Sequence, residues 1–75
     1  MTQPQTPYLR VAYDLRSKIE HKELRPGERV PSVTQIAESY GVSRSTARRA
    51  LDKLKEWGLT EAEPGWGTFV KAQGP

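Results

Sequence analysis

The chain has 75 residues, of which 35% are hydrophobic, so the sequence allows one small domain with a lean core. It has no cysteine, which excludes disulfide bonds and thiolate zinc sites, and its net charge of +3 favours an anionic partner. No apolar run approaches the roughly 20 residues of a membrane span, and the first residues lack a signal-peptide pattern. We therefore expect a cytoplasmic protein with no membrane partner.

The first helix is predicted to begin at Pro7, because proline fits the first turn of a helix. The residues before it are polar and include Pro4, so we expect residues 1–6 to form a disordered arm. The helix should end near His21 and bury one apolar stripe, formed by Tyr8, Val11, Ala12, Leu15 and Ile19. His21 is the only histidine, so the sequence predicts no metal site, no cofactor and no catalytic base, and hence no enzyme.

A turn, a short strand and a second helix are predicted next. Residues 25–28 carry proline and glycine at turn positions, and residues 29–30 are long enough only for a short strand. Ser32 is a predicted N-cap, and Gln35 three residues later completes a capping box. The helix that begins there should end at Gly41, because glycine readily adopts the left-handed conformation.

A third helix is predicted over about residues 43–57, because Ser43 is a second N-cap directly after the glycine that ends the second helix. Two helices joined by so short a connection should cross steeply, as in a helix-turn-helix pair. Gly58 should end the third helix. Its apolar face is formed by Ala47, Ala50, Leu51, Leu54 and Trp57.

The last part of the chain is predicted to form a β-hairpin. Residues 59–63 and 68–71 suit short strands, and residues 64–67 suit the turn between them. The order of elements predicts a mainly α fold with a small β-ribbon, in which three helices are followed by a short antiparallel sheet. This is the winged helix-turn-helix architecture, which we expect over residues 7–71, with residues 72–75 as a linker stub or tail.

Positive charge is concentrated in the third predicted helix. Residues 43–55 hold five basic residues and one acidic residue, whereas residues 1–40 hold six basic and five acidic residues. Arginines at the exposed N-terminal end of a helix can bond guanine bidentately in the major groove, so we predict a recognition helix. The alternative is a solvated face in which acidic neighbours pair with the basic residues. The side opposite the apolar face carries Arg44, Ser45, Arg48, Arg49, Asp52 and Lys55.

Two motifs make the chain resemble the GntR family of bacterial transcriptional regulators. The first is the run Gly-Val-Ser-Arg-Ser-Thr-Ala-Arg that begins at Gly41, and the second is Gly-Trp-Gly-Thr-Phe-Val, which begins at Gly65. Their order and spacing are specific to the family, and the likeness covers residues 8–71. The resemblance implies a winged-helix fold and sequence-specific binding of double-stranded operator DNA, expected to repress transcription.

The resemblance also implies how the DNA is held. Arg44 and Arg48 would read bases or adjacent phosphates, and the hydroxyl residues of the same turn would hold phosphate. Gly65 would bring the wing, about residues 59–71, to the minor groove. A homodimer on a palindromic operator is implied. An effector is expected to bind only through a C-terminal domain, which we expect to be absent because the chain stops at Pro75.

The chain departs from the family pattern at Thr34, where many relatives have arginine, and at Trp66, where relatives have a basic residue between two glycines. Trp66 has two interpretations. We favour packing against Phe69 or Trp57, because a two-stranded ribbon needs apolar cover, and the alternative is contact with the minor groove. These departures also motivate a second hypothesis, a winged helix that binds protein instead of DNA. The predicted DNA contacts are Thr34, Ser43, Arg44, Ser45, Thr46, Arg48, Arg49, Gly65 and Trp66.

Overall fold

The computed structural model describes residues 6–72, so the arm predicted for residues 1–6 and the tail predicted for residues 72–75 lie almost entirely outside the described residues. The five elements follow the predicted order, and they confirm a fold of three helices and a two-stranded antiparallel sheet. They are α1 (Pro7–Glu20), α2 (Val33–Tyr40), α3 (Arg44–Glu56), β1 (Thr60–Glu63) and β2 (Gly67–Val70).

The two helix starts predicted from capping residues are confirmed. In α2 the Gln35 N–H donates to Ser32 Oγ over 3.2 Å, and the Ser32 N–H donates to Gln35 Oε1 over 2.9 Å. This reciprocal pair satisfies two N–H groups that have no acceptor inside the helix. Gly41 ends α2 with a φ of 65°, and Ser43 then caps α3. The short connection between α2 and α3 therefore follows from two local signals placed two residues apart.

The main core lies between the three helices. Three of its fully buried residues are alanines, whose small side chains allow α1 and α3 to approach closely. The second helix contributes one fully buried residue, Ile36. This cluster fixes the rear of α3, which determines the side that α3 presents to solvent. The buried residues are Val11, Ala12, Leu15, Ile36, Ala47, Ala50 and Leu54.

A hydrogen bond ties the end of α2 to the middle of α1. The Tyr40 hydroxyl donates to the Asp14 carboxylate. Burial of the phenol raises the pKa of Tyr40 well above its usual value, and the hydrogen bond and negative charge of Asp14 raise it further. The phenol therefore remains a neutral donor throughout the physiological pH range, and it holds the second helix of the motif against the first.

A smaller core cluster joins the sheet to the helices. It contains Ile19, Val30 and Val70, and Leu24, Leu51 and Leu59 pack against both clusters. The strand predicted at residues 29–30 is reduced to one bridge, in which Arg29 pairs with Phe69 across the open edge of β2.

The two strands differ slightly from the sequence pattern. β1 begins one residue later than predicted, and β2 begins one residue earlier. Leu59 lies outside β1 because its N–H donates to Leu54 O over 3.0 Å and so completes the end of α3. Gly67 lies in β2 and not in the turn, because it pairs with Glu63 in the sheet register. Lys71 lies outside β2. A hydrogen bond to the end of α3 sets the start of β1, and pairing between strands sets the start of β2, so no local sequence pattern reports either boundary.

Candidate nucleic-acid interface

The N-terminal half of α3 presents two unpaired guanidinium groups to solvent. Arg44 and Arg48 lie one helical turn apart, and both are exposed. Neither makes a hydrogen bond or ion pair with residues 6–72. Ala47 and Ala50 on the other side of the helix are fully buried, so the helix cannot rotate to cover the arginines. Both donors are therefore available to an external acceptor.

The second helix adds a hydroxyl to the same surface. A shallow concavity is lined by Val33 and Thr34 from α2 and by Arg44, Ser45 and Arg48 from α3. Four of the nine residues predicted as DNA contacts therefore meet in one place. Thr34 is exposed and supplies a neutral donor and acceptor there, where a cation was expected from the family pattern.

The hydroxyl of Ser43 is occupied within the helix cap. Its oxygen accepts from the Thr46 N–H over 3.1 Å, and its proton is donated to Thr46 Oγ1 over 2.9 Å. The Thr46 hydroxyl keeps its own proton for an external acceptor, and Ser45 is exposed beside it. The backbone N–H groups of a first helical turn also lack acceptors within the helix, and they favour an anion. The cap thus occupies the hydroxyl of Ser43 and leaves the protons of the Ser45 and Thr46 hydroxyls without an acceptor among residues 6–72.

Arg49 is placed apart from the other two arginines. Its guanidinium carbon lies 4.4 Å from the centre of the Tyr8 ring, on the side of α3 next to α1. Sequence reasoning treated Tyr8 only as part of an apolar stripe, and nothing in the spacing of the two residues reveals the contact. The predicted group of basic residues is thus divided into an open pair, Arg44 and Arg48, and one arginine stacked on an aromatic ring.

The C-terminal half of α3 is partly neutralised. Lys53 Nζ lies 3.2 Å from the Glu56 carboxylate, so this basic residue pairs with an acidic neighbour, as the alternative of a solvated face predicts. It does not hold for Arg44 or Arg48, since no acidic residue of the described part of the chain pairs with either. The uncompensated positive charge of α3 is therefore greatest toward the N-terminal end.

The wing tip carries a solvent-exposed tryptophan, and the favoured prediction that Trp66 packs over the ribbon is wrong. Its side chain is 74% exposed. Trp57, the proposed partner, is instead occupied by the Tyr13 ring at 5.2 Å and by Arg16 at 5.2 Å. On the outer face of β2, the Arg29 guanidinium covers Gly67, the residue next to the tryptophan. The apolar cover that the ribbon needs comes from the core beneath Val70, and not from the tip.

Arg29 is a residue that sequence reasoning missed. A Cβ built on Gly67 would lie 2.7 Å from Arg29 Nε, so the guanidinium rests directly on the wing. Arg29 also lines a hollow with Thr34 and Gln35 at the start of α2. Since Thr34 borders the concavity of Arg44 and Arg48 as well, the surface runs from α3 across α2 to Arg29, whose guanidinium lies on the wing.

Residues 6–72 contain neither a candidate metal site nor a candidate membrane span. No group of three or more His, Cys, Asp or Glu residues there is arranged to hold a metal ion. None of the three helices combines the length and the hydropathy that crossing a membrane requires.

The chain is similar to known bacterial regulators. The profile of the family described as "Bacterial regulatory proteins, gntR family" matches residues 7–70. The HTH-type transcriptional regulator LutR of Bacillus subtilis (strain 168) is 49% identical over 53 residues, which are 71% of this chain and 24% of LutR. The HTH-type transcriptional repressor NagR of the same strain is 40% identical over 63 residues, which are 84% of this chain and 26% of NagR.

A solved structure gives the same fold on DNA. The DNA-binding domain of AraR in complex with operator ORR3 superposes with a TM-score of 0.81 at 29% identity, covering 93% of this chain and 92% of that one. A reading helix fixed by its core, followed by a β-hairpin, defines a winged helix-turn-helix DNA-binding domain. The chain belongs to the GntR family of bacterial regulatory proteins. It spans about a quarter of the length of LutR and of NagR.

Proposed function

We propose that this domain binds an operator sequence-specifically and represses transcription, with α3 in the major groove and the wing at the minor groove. The observation that carries the proposal is the pair of unpaired guanidinium groups, Arg44 and Arg48, on the exposed side of a helix fixed by its core. A bidentate arginine contact to guanine discriminates against other bases by about 1–3 kcal/mol. The name of NagR, a transcriptional repressor, supports repression, and the complex of AraR with its operator supports DNA as the ligand.

The remaining candidate residues divide by chemistry. Arg44 and Arg48 would read base edges, and the neutral hydroxyls of the same surface would bind phosphate, which fixes register without reading sequence. Ser43 would act through its cap and its backbone N–H. Arg49 would reach a phosphate on the side of α1. The phosphate-binding hydroxyls in this assignment are those of Thr34, Ser45 and Thr46, and the wing would contribute Gly65 and Trp66.

We also propose that two copies of the domain bind one palindromic operator. A single recognition helix reads only a few base pairs, and winged-helix and other helix-turn-helix proteins extend the site through two half-sites about one helical turn apart. This chain corresponds to about a quarter of the length of LutR and of NagR. By analogy with such longer family members, we propose that the whole protein dimerises, binds an effector through a further domain and lies in the cytoplasm.

Alanine variants test the base-reading assignment. A duplex is first selected from a random pool, and Kd is then measured on it and on random DNA for the Arg44→Ala, Arg48→Ala and Arg25→Ala variants. The first two should lose about 1–3 kcal/mol on the selected duplex and much less on random DNA, because base contacts are lost. Arg25→Ala is the matched control, since it removes the same charge from an exposed turn. That turn lies beside Val70, at the C-terminal end of β2. Equal losses on both duplexes for all three variants would contradict the assignment.

A further inference from the structure

Arg29 has no role in the proposed function, although it is an exposed arginine. Its guanidinium makes no hydrogen bond or ion pair with residues 6–72. A guanidinium group is always charged at physiological pH, and its N–H donors match the oxygens of a phosphate group. The side chain of Arg29 is therefore available to an external anion.

The backbone at Arg29 is fixed against β2. The next residue, Val30, is buried in the smaller core cluster, and its N–H donates to Thr68 O over 2.7 Å. Arg29 itself pairs with Phe69 in an antiparallel bridge. The arginine side chain thus begins from a defined place in the fold, even though it belongs to a connecting segment.

The side chain of Arg29 crosses from this segment onto the wing. A Cβ built on Gly67 would lie 2.7 Å from Arg29 Nε and 3.2 Å from one terminal nitrogen, so a larger residue there would displace the guanidinium. Arg29 also lines the hollow that contains Thr34, and Thr34 borders the concavity of Arg44 and Arg48. The positive charge of Arg29 is therefore held between the wing and α2, beside the surface that carries the two base-reading arginines.

Two carboxylates on the same face of the sheet give an alternative explanation for the position of Arg29. Register pairs Glu61 with Phe69 and Glu63 with Gly67, and paired residues of antiparallel strands lie on one face. Arg29 pairs with Phe69 from the other side. Neither carboxylate forms an ion pair with the guanidinium. Arg29 therefore lies near acidic residues without being bound by them.

We propose that Arg29 binds a phosphate of the operator at the junction of the wing and α2. This inference rests on the proposed function and adds to it a cation that lies outside α3. Phosphate contacts fix the register of a protein on the duplex and carry no sequence information directly. Arg29 holds α2 and the wing on the DNA backbone while α3 reads bases, so it contributes to affinity and not to base preference.

A phosphate contact has a distinctive dependence on salt. Each phosphate neutralised by a cation releases counterions, so the slope of log K against log salt changes by about 0.9 for each such contact on B-DNA. A residue that only supports the wing would change affinity without changing this slope. A residue that only offsets neighbouring carboxylates would lose its effect on affinity once those carboxylates are removed.

The test measures Kd on the selected duplex and on random DNA at several salt concentrations. Arg29→Gln keeps part of the side-chain stem and removes the charge, so it should weaken binding to both duplexes about fivefold at low salt and reduce the magnitude of the slope by about 0.9. Arg29→Lys keeps the charge and should retain the slope. Arg25→Gln is the matched control, since it removes the same charge from an exposed turn and should leave the slope unchanged.

A second background tests the alternative explanation. When Glu61→Gln and Glu63→Gln are combined, the acidic residues that face Arg29 across the sheet are neutral. Adding Arg29→Gln to this background should weaken binding by the same factor as in the full chain, because the partner of the guanidinium is a DNA phosphate. Loss of the effect in this background would show that Arg29 only offsets the carboxylates, and would overturn the inference.

The remaining outcomes separate this inference from the proposed function. If the full chain binds the selected duplex and Arg29→Gln binds it equally well with the same slope, the phosphate contact is wrong and operator binding stands. A weaker Arg29→Gln with an unchanged slope assigns Arg29 to support of the wing, and also overturns the inference. A loss on the selected duplex alone would indicate a base contact instead. If the full chain binds neither duplex, the proposed function fails, and the inference fails with it.

Discussion

At the scale of single residues, Arg49 shows how an aromatic ring can prepare a cation for binding. The guanidinium carbon lies 4.4 Å from the centre of the Tyr8 ring, and Arg49 is exposed, so its N–H donors remain accessible to an external acceptor. Tyr8 is half-buried against the core and belongs to α1, so the support is rigid. Arg49 therefore loses less conformational freedom on binding phosphate than an unsupported arginine would.

This arrangement predicts that Tyr8 acts through Arg49. Tyr8→Leu should weaken binding to selected and random duplexes alike by about 0.5–1 kcal/mol, the range of an exposed cation–π contact, and Tyr8→Phe should restore it. In an Arg49→Ala background, Tyr8→Leu should have no further effect on Kd, because the partner is gone. A full additional loss in that background would contradict the coupling. Thermal unfolding of each variant provides the control for packing defects.

The sequence predicted exposed residues that follow from helical spacing, but it did not predict contacts between residues on different elements. Arg44 and Arg48 follow from helical spacing after a cap, so their exposure was predictable. The contact of Tyr8 with Arg49 joins residues on different helices, and the contact of Arg29 with Gly67 joins a loop to a strand. Trp66 was placed wrongly for the same reason, since Trp57, one of its proposed partners, is already engaged by Tyr13 and Arg16.

At the scale of elements, β1 begins with a buried polar group. Thr60 is 1% exposed, and its Oγ1 has no hydrogen-bond partner among residues 6–72. A buried hydroxyl without a partner destabilises the folded state by about 1–3 kcal/mol relative to an apolar group of the same shape. The position favours β-branched side chains, because Thr60 pairs with Val70 in the sheet.

Thr60→Val is therefore expected to stabilise the domain. Valine has the shape of threonine without the hydroxyl, so the free energy of unfolding should rise by about 1 kcal/mol, measured by urea denaturation. Thr60→Ala is the comparison, because it also removes the buried methyl group and should not share the gain. A fall in stability for Thr60→Val would show that the hydroxyl has a partner in solution. Affinity for DNA should stay unchanged, since Thr60 lies beneath the sheet.

The helices were more predictable than the strands. The starts of α2 and α3 depend on caps that act within four residues, and Ser32 and Ser43 predict them, whereas α1 begins at Pro7 without a side-chain cap. The strands depend on pairing between distant residues, so their ends moved by one residue and the predicted third strand became one bridge. The sheet is held as much by the cluster beneath it as by its own hydrogen bonds.

At the scale of the whole molecule, the surface divides into a basic reading helix and an acidic wing with an aromatic tip. DNA affinity should therefore depend mainly on α3, and the salt dependence should reflect the few cations around it. Thr34 and Trp66 replace cations expected from the family pattern, so a single copy of the domain should bind with modest affinity. Two copies on a palindromic operator should bind much more tightly, because the second binding event is then favoured by proximity.

The central claim is tested most directly by measuring Kd of the full chain on its selected duplex and on a scrambled duplex, each over a range of salt concentrations. We predict that binding to both weakens steeply and log-linearly with salt, and that the selected duplex binds about 10³-fold or more tightly at physiological salt. A chain that binds neither duplex at low salt would contradict the claim and favour a winged helix that binds protein. Equal affinity for both duplexes would contradict sequence-specific reading by Arg44 and Arg48.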